Sequence, residues 1–339
     1  MKFIQFGCGK MSQYLVKYAI ERGYELIGAF DVNKDLIGKE FFGVAISDAS
    51  DLSDRLKDYK PDFCIIATRS TMKEIEGVMT TCAMYGVNAI TTCEEAIFPW
   101  NSSPEITNRL NLLAESNGAT LTGSGYPDVY WGTLVATLTG SAQKITKITG
   151  ASSYNVEDYG MALAEGHGAG LPLDEFKEKL ELYNDLTSEE ISAKIQSGEI
   201  APSYMWNQNG WLCAKLGLTV TSQTQKCIPT THSEELDSKT LGLKIKAGDA
   251  TGMKAIVTTQ TAEGITIETE NIGKVYAPGE IDTNRWSLEG EPSVTFEVNN
   301  PATAELTCAT VINRIPQLMT SRPGYVTTDN FPNSIYKGE

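Results

Sequence analysis

Lys2-Phe-Ile-Gln-Phe-Gly-Cys-Gly-Lys-Met-Ser12 and, after one helix length, Glu25-Leu-Ile-Gly-Ala-Phe-Asp31 are the stretches that decide the fold. Residues 2–6 read as an apolar strand that runs into Gly7-x-Gly9. A helical stretch follows, with Met11, Leu15, Ala19 and Ile20 on one side, and Gly23 closes it. A second strand, Glu25 to Phe30, ends at Asp31. The whole is a βαβ unit of about 30 residues with a glycine turn at its crossover. The glycines allow a tight turn and the close approach of a pyrophosphate, which then sits on the helix N-terminus. Ser12 occupies the place of the third glycine of the usual fingerprint and is small enough to pack closely. Gly-x-Gly alone is a weak signal, but the complete unit predicts a dinucleotide site built from Gly7, Cys8, Gly9, Lys10 and Met11. Asp31 is placed to hold the adenosine ribose hydroxyls, which favours NAD(H). Asn33, Lys34 and Lys10 offer contacts for the 2′-phosphate of NADP(H), so the spacing leaves both cofactors open.

Outward from this unit, strands and helices keep alternating. Asp62 to Ala67 is a strand ending in Thr68-Arg69-Ser70-Thr71, a polar loop expected to reach the adenine or a phosphate. A helix over 71–86 leads to the strand Val87 to Thr92, and this strand ends in Cys93-Glu94-Glu95 followed by Phe98-Pro-Trp100. A helix over 103–117 and the strand Ala119 to Thr122 complete the alternation, which predicts a doubly wound parallel sheet. Acids at the carboxyl end of a central strand lie where such sheets bind ligands. Glu95, and secondarily Glu94, is therefore the expected acid/base.

Near residue 128 the pattern changes. Val129 to Gly140 reads as a helix and 144–155 as a strand, followed by a glycine-rich loop. Helices over 173–183, 188–196 and 203–217 come next. Alternating stretches at 243–246, 253–260, 264–270, 285–289 and 293–298 then predict a mainly antiparallel sheet. Residues 301–318 are helical again, ending at Pro316. The expected organisation is a Rossmann domain over 1–135 and an α+β domain over 136–300. A C-terminal helix and tail, 301–339, is expected to return to the first domain.

The chain has 339 residues, enough for two domains, and a net charge of −15. That charge argues against nucleic acid or an anionic membrane as a partner, and no apolar run approaches the ~18 residues that a membrane helix needs. The seven cysteines show no CxxC pair, and the two histidines, His167 and His232, have no metal-like partner at i+3 or i+4. A reducing cytoplasm and the absence of a metal are the corresponding expectations.

Several segments carry a family resemblance. They are Gly7-Cys-Gly-Lys-Met11, Thr92-Cys-Glu-Glu-Ala-Ile-Phe-Pro99, Gly168-Ala-Gly-Leu-Pro-Leu-Asp-Glu-Phe176, Lys246-Ala-Gly-Asp-Ala-Thr-Gly252 and Ala309-Thr-Val-Ile-Asn-Arg-Ile-Pro316. With these the chain resembles the 2,4-diaminopentanoate dehydrogenase-like family, which includes amine dehydrogenases, and more distantly dihydrodipicolinate reductase. The resemblance implies a Rossmann domain, an α+β dimerisation domain and a homodimer. It further implies a nicotinamide cofactor, NAD(H) or NADP(H), and ammonia with a small ketone or amine as substrates. Amino-acid-specific members hold a substrate carboxylate with Arg, Asn and His side chains; where that histidine would align this chain has Ala255. The implied activity is thus reductive amination of small ketones or aldehydes to primary amines, and its reverse.

On this reading Ser70, Cys93 and Asn313 join Thr68 and Arg69 at the cofactor. Trp100, Tyr126, Trp131, Tyr154, Tyr159 and Thr307 wall an apolar substrate pocket. Burial, and a second carboxylate alongside, raise the pKa of an acid toward neutrality and suit it to the proton transfers. Two alternatives remain at this level: a 2,4-diaminopentanoate or other amino-acid dehydrogenase or imine reductase, and a non-catalytic nucleotide-binding redox sensor.

Overall fold

The computed structural model describes residues 1–336. The chain divides into two units, Met1–Leu134 together with the segment from Ala302, and Val135–Pro301. The first unit runs β1 (Lys2–Phe6), α1 (Lys10–Glu21), β2 (Glu25–Asp31), β3 (Glu40–Phe41), β4 (Val44–Asp48), α2 (Leu52–Tyr59), β5 (Phe63–Ile66), α3 (Met72–Met84), β6 (Asn88–Thr91), α4 (Pro104–Asn117) and β7 (Thr120–Gly123). A π-helical segment, Asp128–Thr133, passes into α5 (Leu134–Thr139), where the first unit ends.

The second unit continues with β8 (Lys144–Asn155), α6 (Met161–Gly166), α7 (Leu173–Leu180), α8 (Ser188–Gln196) and α9 (Tyr204–Leu216). It then adds β9 (Val220–Thr231), β10 (Leu236–Ser238), β11 (Leu243–Ile245), β12 (Ala250–Thr261), β13 (Thr266–Lys274), β14 (Thr283–Glu291) and β15 (Val294–Asn299). The first unit closes with α10 (Thr303–Thr320) and β16 (Gly324–Tyr325).

The first sheet has the order β16-β7-β6-β5-β1-β2-β4-β3. All its neighbours pair in parallel except β3 with β4. Its strands are short and buried on both sides, as a sheet flanked by helices requires. Alternation divides the core in two. Ile4, Phe6, Cys64, Ile66, Ala89 and Leu121 pack with α2, α3 and α4, while Phe3, Phe63, Ile65 and Ile90 pack with α1 and α10. The order reverses on either side of β1, so the carboxyl ends of β1, β5 and β6 border the crevice where such sheets bind ligands. The second sheet, order β15-β14-β8-β13-β12-β9, is antiparallel apart from the β8–β13 pair. The doubly wound sheet and the mainly antiparallel second sheet are both present, as the sequence predicts.

Three local readings need correction. The strand β9 is twelve residues long, yet its run Ser222-Gln-Thr-Gln-Lys226 is polar on both faces and gives no alternating signal. The outer elements β3, β4 and α2 pass unnoticed for the same reason: few apolar residues mark them. Finally, α10 does not stop at Pro316 but runs on to Thr320. The proline removes one donor from the helix ladder. The stripe Cys308, Val311, Ile312, Ile315 and Leu318 nevertheless docks on the α1 side of the core and keeps the last turn in place.

One buried ion pair joins the end of β7 to the returning helix. Arg314 of α10 is 1% exposed and Asp128 is fully buried. The guanidinium grips Asp128 with Nε at 2.7 Å and Nη2 at 2.6 Å, and its Nη1 donates to the Pro332 carbonyl and to Gln317 Oε1. Ser124 Oγ adds a third donor to Asp128 at 2.7 Å. Removing one partner of such a pair leaves an uncompensated buried charge, a loss of about 3–5 kcal/mol. Arg314→Met is expected to lose that much in urea unfolding. The double variant Arg314→Met/Asp128→Asn should lose less, because no bare charge remains.

Candidate active site

The site is assembled from turns that follow β1, β5, β6 and β7. After β1, Gly7 adopts φ 84°, and a Cβ there would stand 2.2 Å from the Ala67 carbonyl oxygen at the end of β5. Only glycine fits this crossing of two strand ends. Ser12 Oγ donates to the Gly7 carbonyl at 2.5 Å, and Gln5 Nε2 donates to the same oxygen at 2.9 Å. The residue in place of the third glycine therefore ties the loop together. Gly9 caps α1 without a side-chain hydrogen bond, its missing Cβ faces open space, and the first turn holds no acid. Unclaimed N–H groups at a helix N-terminus with room in front of them fit a pyrophosphate.

Asp31 is buried and binds this loop: Oδ2 accepts from Cys8 N at 2.7 Å and Oδ1 from Asn33 N at 2.8 Å. Burial, and then the Asp31 charge, push the Cys8 thiol up to about 12, so Cys8 contributes its backbone and no thiolate. Lys10 and Asn33 are exposed, and Lys34 is engaged by Asp48. The Met11 carbonyl receives the Cys308 thiol at 3.5 Å. The Thr68 Cβ lies next to Gly7, and the exposed Arg69 reaches toward Glu74 at 3.9 Å.

The two acids after β6 have different environments. Glu95 is fully engaged in local structure: Oε2 accepts from Met72 N at 2.6 Å, at the first turn of α3, and Oε1 accepts from Ser102 Oγ at 2.7 Å and Ser103 Oγ at 2.5 Å. Its carboxylate caps α3 and pins the 95–103 turn. Glu94 retains some exposure, but its carboxyl is hemmed in by protein. Desolvation raises its pKa above the ordinary carboxylate value, against the opposing hydrogen bond from the Ser70 side chain. Three donors thus tie Glu95, the acid expected from the sequence to be the acid/base, into local structure, whereas Glu94 is not held in this way. Cys93, buried between them and the strand, has its thiol pushed far up, chiefly by burial and then by the Glu94 charge.

The β7 turn packs directly on this segment, for a Cβ on Gly123 would stand 2.4 Å from Ala96. Tyr126 follows, stacked on Tyr130 at 4.3 Å and edge-on to Trp131 at 6.1 Å, and its N–H donates to Thr307 Oγ1 of α10 at 3.2 Å. Tyr126, Trp131 and Thr307 are thus brought together, and Tyr130, which the sequence reading missed, completes the aromatic group. Two expected residues fall away. Trp100 packs edge-on to Tyr325 at 6.3 Å against the hydrophobic core, not in the aromatic group. Asn313 accepts from Arg22 Nη2 at 2.9 Å, at the opposite end of α1 from the glycine loop. Eleven helical residues separate the two ends, a rise of roughly 16 Å, so Asn313 lies well away from the nucleotide loop.

Tyr154 and Tyr159 belong to the second unit, where they meet edge-on at 5.7 Å. There Tyr154 shares a 2.7 Å hydrogen bond with His167 Nε2, while His167 Nδ1 meets the Leu163 carbonyl at 2.8 Å. A carbonyl only accepts, so Nδ1 carries the proton and Nε2 accepts from the tyrosine. Burial lowers the His167 pKa and keeps the ring neutral. Ser102, Ser103, Ser124, Asp128 and Arg314 also escaped the sequence reading. A lone arginine inside the apolar run Ala309–Ile315 was the available signal for Arg314.

Residues 130–336 match the family described as 2,4-diaminopentanoate dehydrogenase C-terminal domain. The chain belongs to the 2,4-diaminopentanoate dehydrogenase family. It is 22% identical to the 2,4-diaminopentanoate dehydrogenase of Acetoanaerobium sticklandii, covering 98% of this chain and 93% of that one. Among solved structures it is similar to an amine dehydrogenase from Mycobacterium smegmatis, at 32% identity, TM-score 0.84, and coverage of 99% and 97% of the two chains. The WlbA dehydrogenase of Bordetella pertussis, solved with NADH and UDP-GlcNAcA, shares the fold at 14% identity and TM-score 0.54, covering 97% of this chain and 91% of its own. As a member of this family the protein is an oxidoreductase with a Rossmann nucleotide domain. No helix among the described residues is long and apolar enough to cross a membrane.

Because Glu95 caps α3, Glu95→Ala is expected to lose about 0.5–2 kcal/mol of stability, the usual range for a lost N-terminal cap. Denaturant unfolding monitored by circular dichroism measures this. A stability equal to wild type would show that the three hydrogen bonds carry no weight.

Proposed function

We propose that this protein is a nicotinamide-dependent amine dehydrogenase. In this reading it joins ammonia to a small uncharged ketone or aldehyde, reduces the product to a primary amine, and runs the reverse oxidative deamination. The observation that carries the reading is Glu94: an acid at the carboxyl end of a central strand, with a raised pKa, beside a second acid already committed to structure. Similarity to the M. smegmatis amine dehydrogenase over nearly the whole chain supports the same activity.

The first turn of α1 with Gly7 and Gly9 would hold the pyrophosphate, and Asp31 would face the adenosine ribose. The bound nicotinamide supplies or accepts the hydride. The remaining steps are proton transfers. With a pKa moved toward neutrality, Glu94 can take a proton from the attacking nitrogen and return one to the hydroxyl that leaves as water. As a carboxylate it also stabilises the iminium cation formed in between. The Ser70 hydroxyl orients it, and the Tyr126, Tyr130 and Trp131 rings supply apolar surroundings in which that charge is felt strongly.

A second reading, oxidation of 2,4-diaminopentanoate or another amino acid, draws on the full-length likeness to the A. sticklandii enzyme. A carboxylate substrate needs a cation, however, and Ala255 stands where amino-acid-specific relatives would place histidine. A substrate panel separates the two: turnover of cyclohexanone with ammonia supports the first reading, and turnover confined to carboxylated diamines overturns it. We also propose a homodimer formed through the half-exposed face of the second sheet. That face interleaves Lys147 with Glu268 and Lys254 with Glu270, both at 3.0 Å, a pattern that can be self-complementary about a two-fold axis.

Glu94→Gln is expected to lower kcat by about 10²–10⁴-fold with cofactor binding intact, whereas Glu95→Gln keeps most of its activity. Steady-state kinetics and cofactor titration measure both; wild-type turnover in Glu94→Gln would sink the assignment. Stability gives an independent check. The folded state holds the Glu94 proton more tightly than the unfolded chain does. This group's contribution is therefore most favourable below the ordinary carboxylate range and is lost as pH rises toward the raised value. Glu94→Gln should accordingly be more stable than wild type at neutral pH, with the difference vanishing below about pH 4.

A further inference from the structure

A second carboxylate stands beside Asp31 at the edge of the first sheet. Strands β2 and β4 run in parallel, and their last residues are register partners, Asp31 with Asp48. Paired residues of neighbouring parallel strands point to the same face and lie ~5 Å apart. Two carboxylates therefore leave the carboxyl edge of the sheet side by side. Lys34 follows Asp31 in the loop after β2, and its ammonium donates to Asp48 Oδ2. The other oxygen, Oδ1, accepts from Ser50 N at 3.0 Å and from Ser50 Oγ at 2.8 Å. The Lys34 contact first, and then the Ser50 donors, hold the Asp48 carboxyl down to about 2, so it is charged at neutral pH. All four residues belong to the first unit, with the glycine loop.

Asp31 suits ribose hydroxyls and not a phosphate. A carboxylate offers about four lone-pair sites and no proton. The N–H groups of Cys8 and Asn33 occupy two of them. Acceptors remain for the two hydroxyl donors of an adenosine ribose. A 2′-phosphate brings a charge of about −1.5 to −2 and acceptors only, so it needs a cation. Lys34 is the first cation in the chain after Asp31, and Asp48 already binds it. The Asn33 carboxamide oxygen is turned back onto Asp35 N at 3.0 Å. At the ends of β2 and β4 the paired carboxylates outnumber the ammonium that joins them.

We propose that Asp48 determines cofactor specificity: by holding Lys34 and adding its own charge beside Asp31, it turns away the 2′-phosphate of NADP(H) and makes NAD(H) the preferred cofactor. This rests on the proposed placement of the nucleotide and not on the amination chemistry.

Asp48→Asn is the decisive variant. Its amide oxygen can keep both Ser50 bonds, while the amide nitrogen in place of Oδ2 is a donor and releases Lys34. Asp48→Ser, which also caps a turn, replaces it if circular dichroism shows the asparagine variant unfolded. Calorimetric titration of the full chain at low salt, without substrate, gives Kd for NADH and for NADPH. Wild type is expected to bind NADH about tenfold more tightly or better, the effect of about one net charge a few ångströms from a phosphate. Asp48→Asn should tighten NADPH by about tenfold and leave NADH within about twofold, since Lys34 can then meet the phosphate. Asp48→Asn/Lys34→Gln restores the wild-type charge balance, and the preference for NADH should return with it. A wild type that binds NADPH as well as NADH, as it would if the exposed Lys10 held the phosphate, overturns the proposal. So does an unchanged ratio in Asp48→Asn, or a double variant that keeps the ratio of the single one. Binding of neither dinucleotide by wild type overturns the nucleotide placement as well.

Discussion

The bidentate contact between Arg314 and Asp128 is the constraint on which the geometry of the first unit depends. A guanidinium and a carboxylate with almost no solvent contact hold together the residue that opens the π-helical segment, the helix that returns at the end of the chain, and the C-terminal tail through the Pro332 carbonyl. Burying two charges is costly, and only near-ideal geometry with extra hydrogen bonds makes it tolerable. Here Ser124, Gln317 and Pro332 supply those bonds. The turn after β7 and the Thr307 region of α10 are therefore held in one relative position. That turn carries Tyr126, so the aromatic group inherits its placement from the grip of a distant arginine, Arg314, on Asp128 in its midst.

The same principle separates the two adjacent glutamates. A carboxylate that accepts three well-directed donors is fixed in place by them, which suits a cap. A carboxyl with little solvation and one hydroxyl partner has its pKa raised. Position along the strand cannot tell them apart, because neighbouring residues leave a strand end on different sides. Only the return of Met72, Ser102 and Ser103 to one of the two acids distinguishes their surroundings.

Much of the architecture was legible in the sequence where apolar periodicity is strong. The βαβ unit from Lys2 to Asp31, the buried strands β5, β6 and β7 and the helices between them all show it. Legibility failed where the pattern is polar on both faces, as in β9, or where a rule was overridden by packing, as at Pro316. For the site, the motif located the glycine turn after β1 and the pair of acids after β6. It could not show that Asn313 pairs with Arg22, or that Trp100 packs against the core, because both outcomes depend on residues hundreds of positions away or on another element's face.

By itself, then, the sequence determined the fold class, the glycine turn and the presence of two acids at a strand end, since these follow from local propensity and periodicity. The tertiary structure decided which acid is tied into local structure and which aromatics gather after β7. Those outcomes depend on contacts between distant segments, where a single hydrogen bond gained or withheld changes the protonation or the solvation of a side chain.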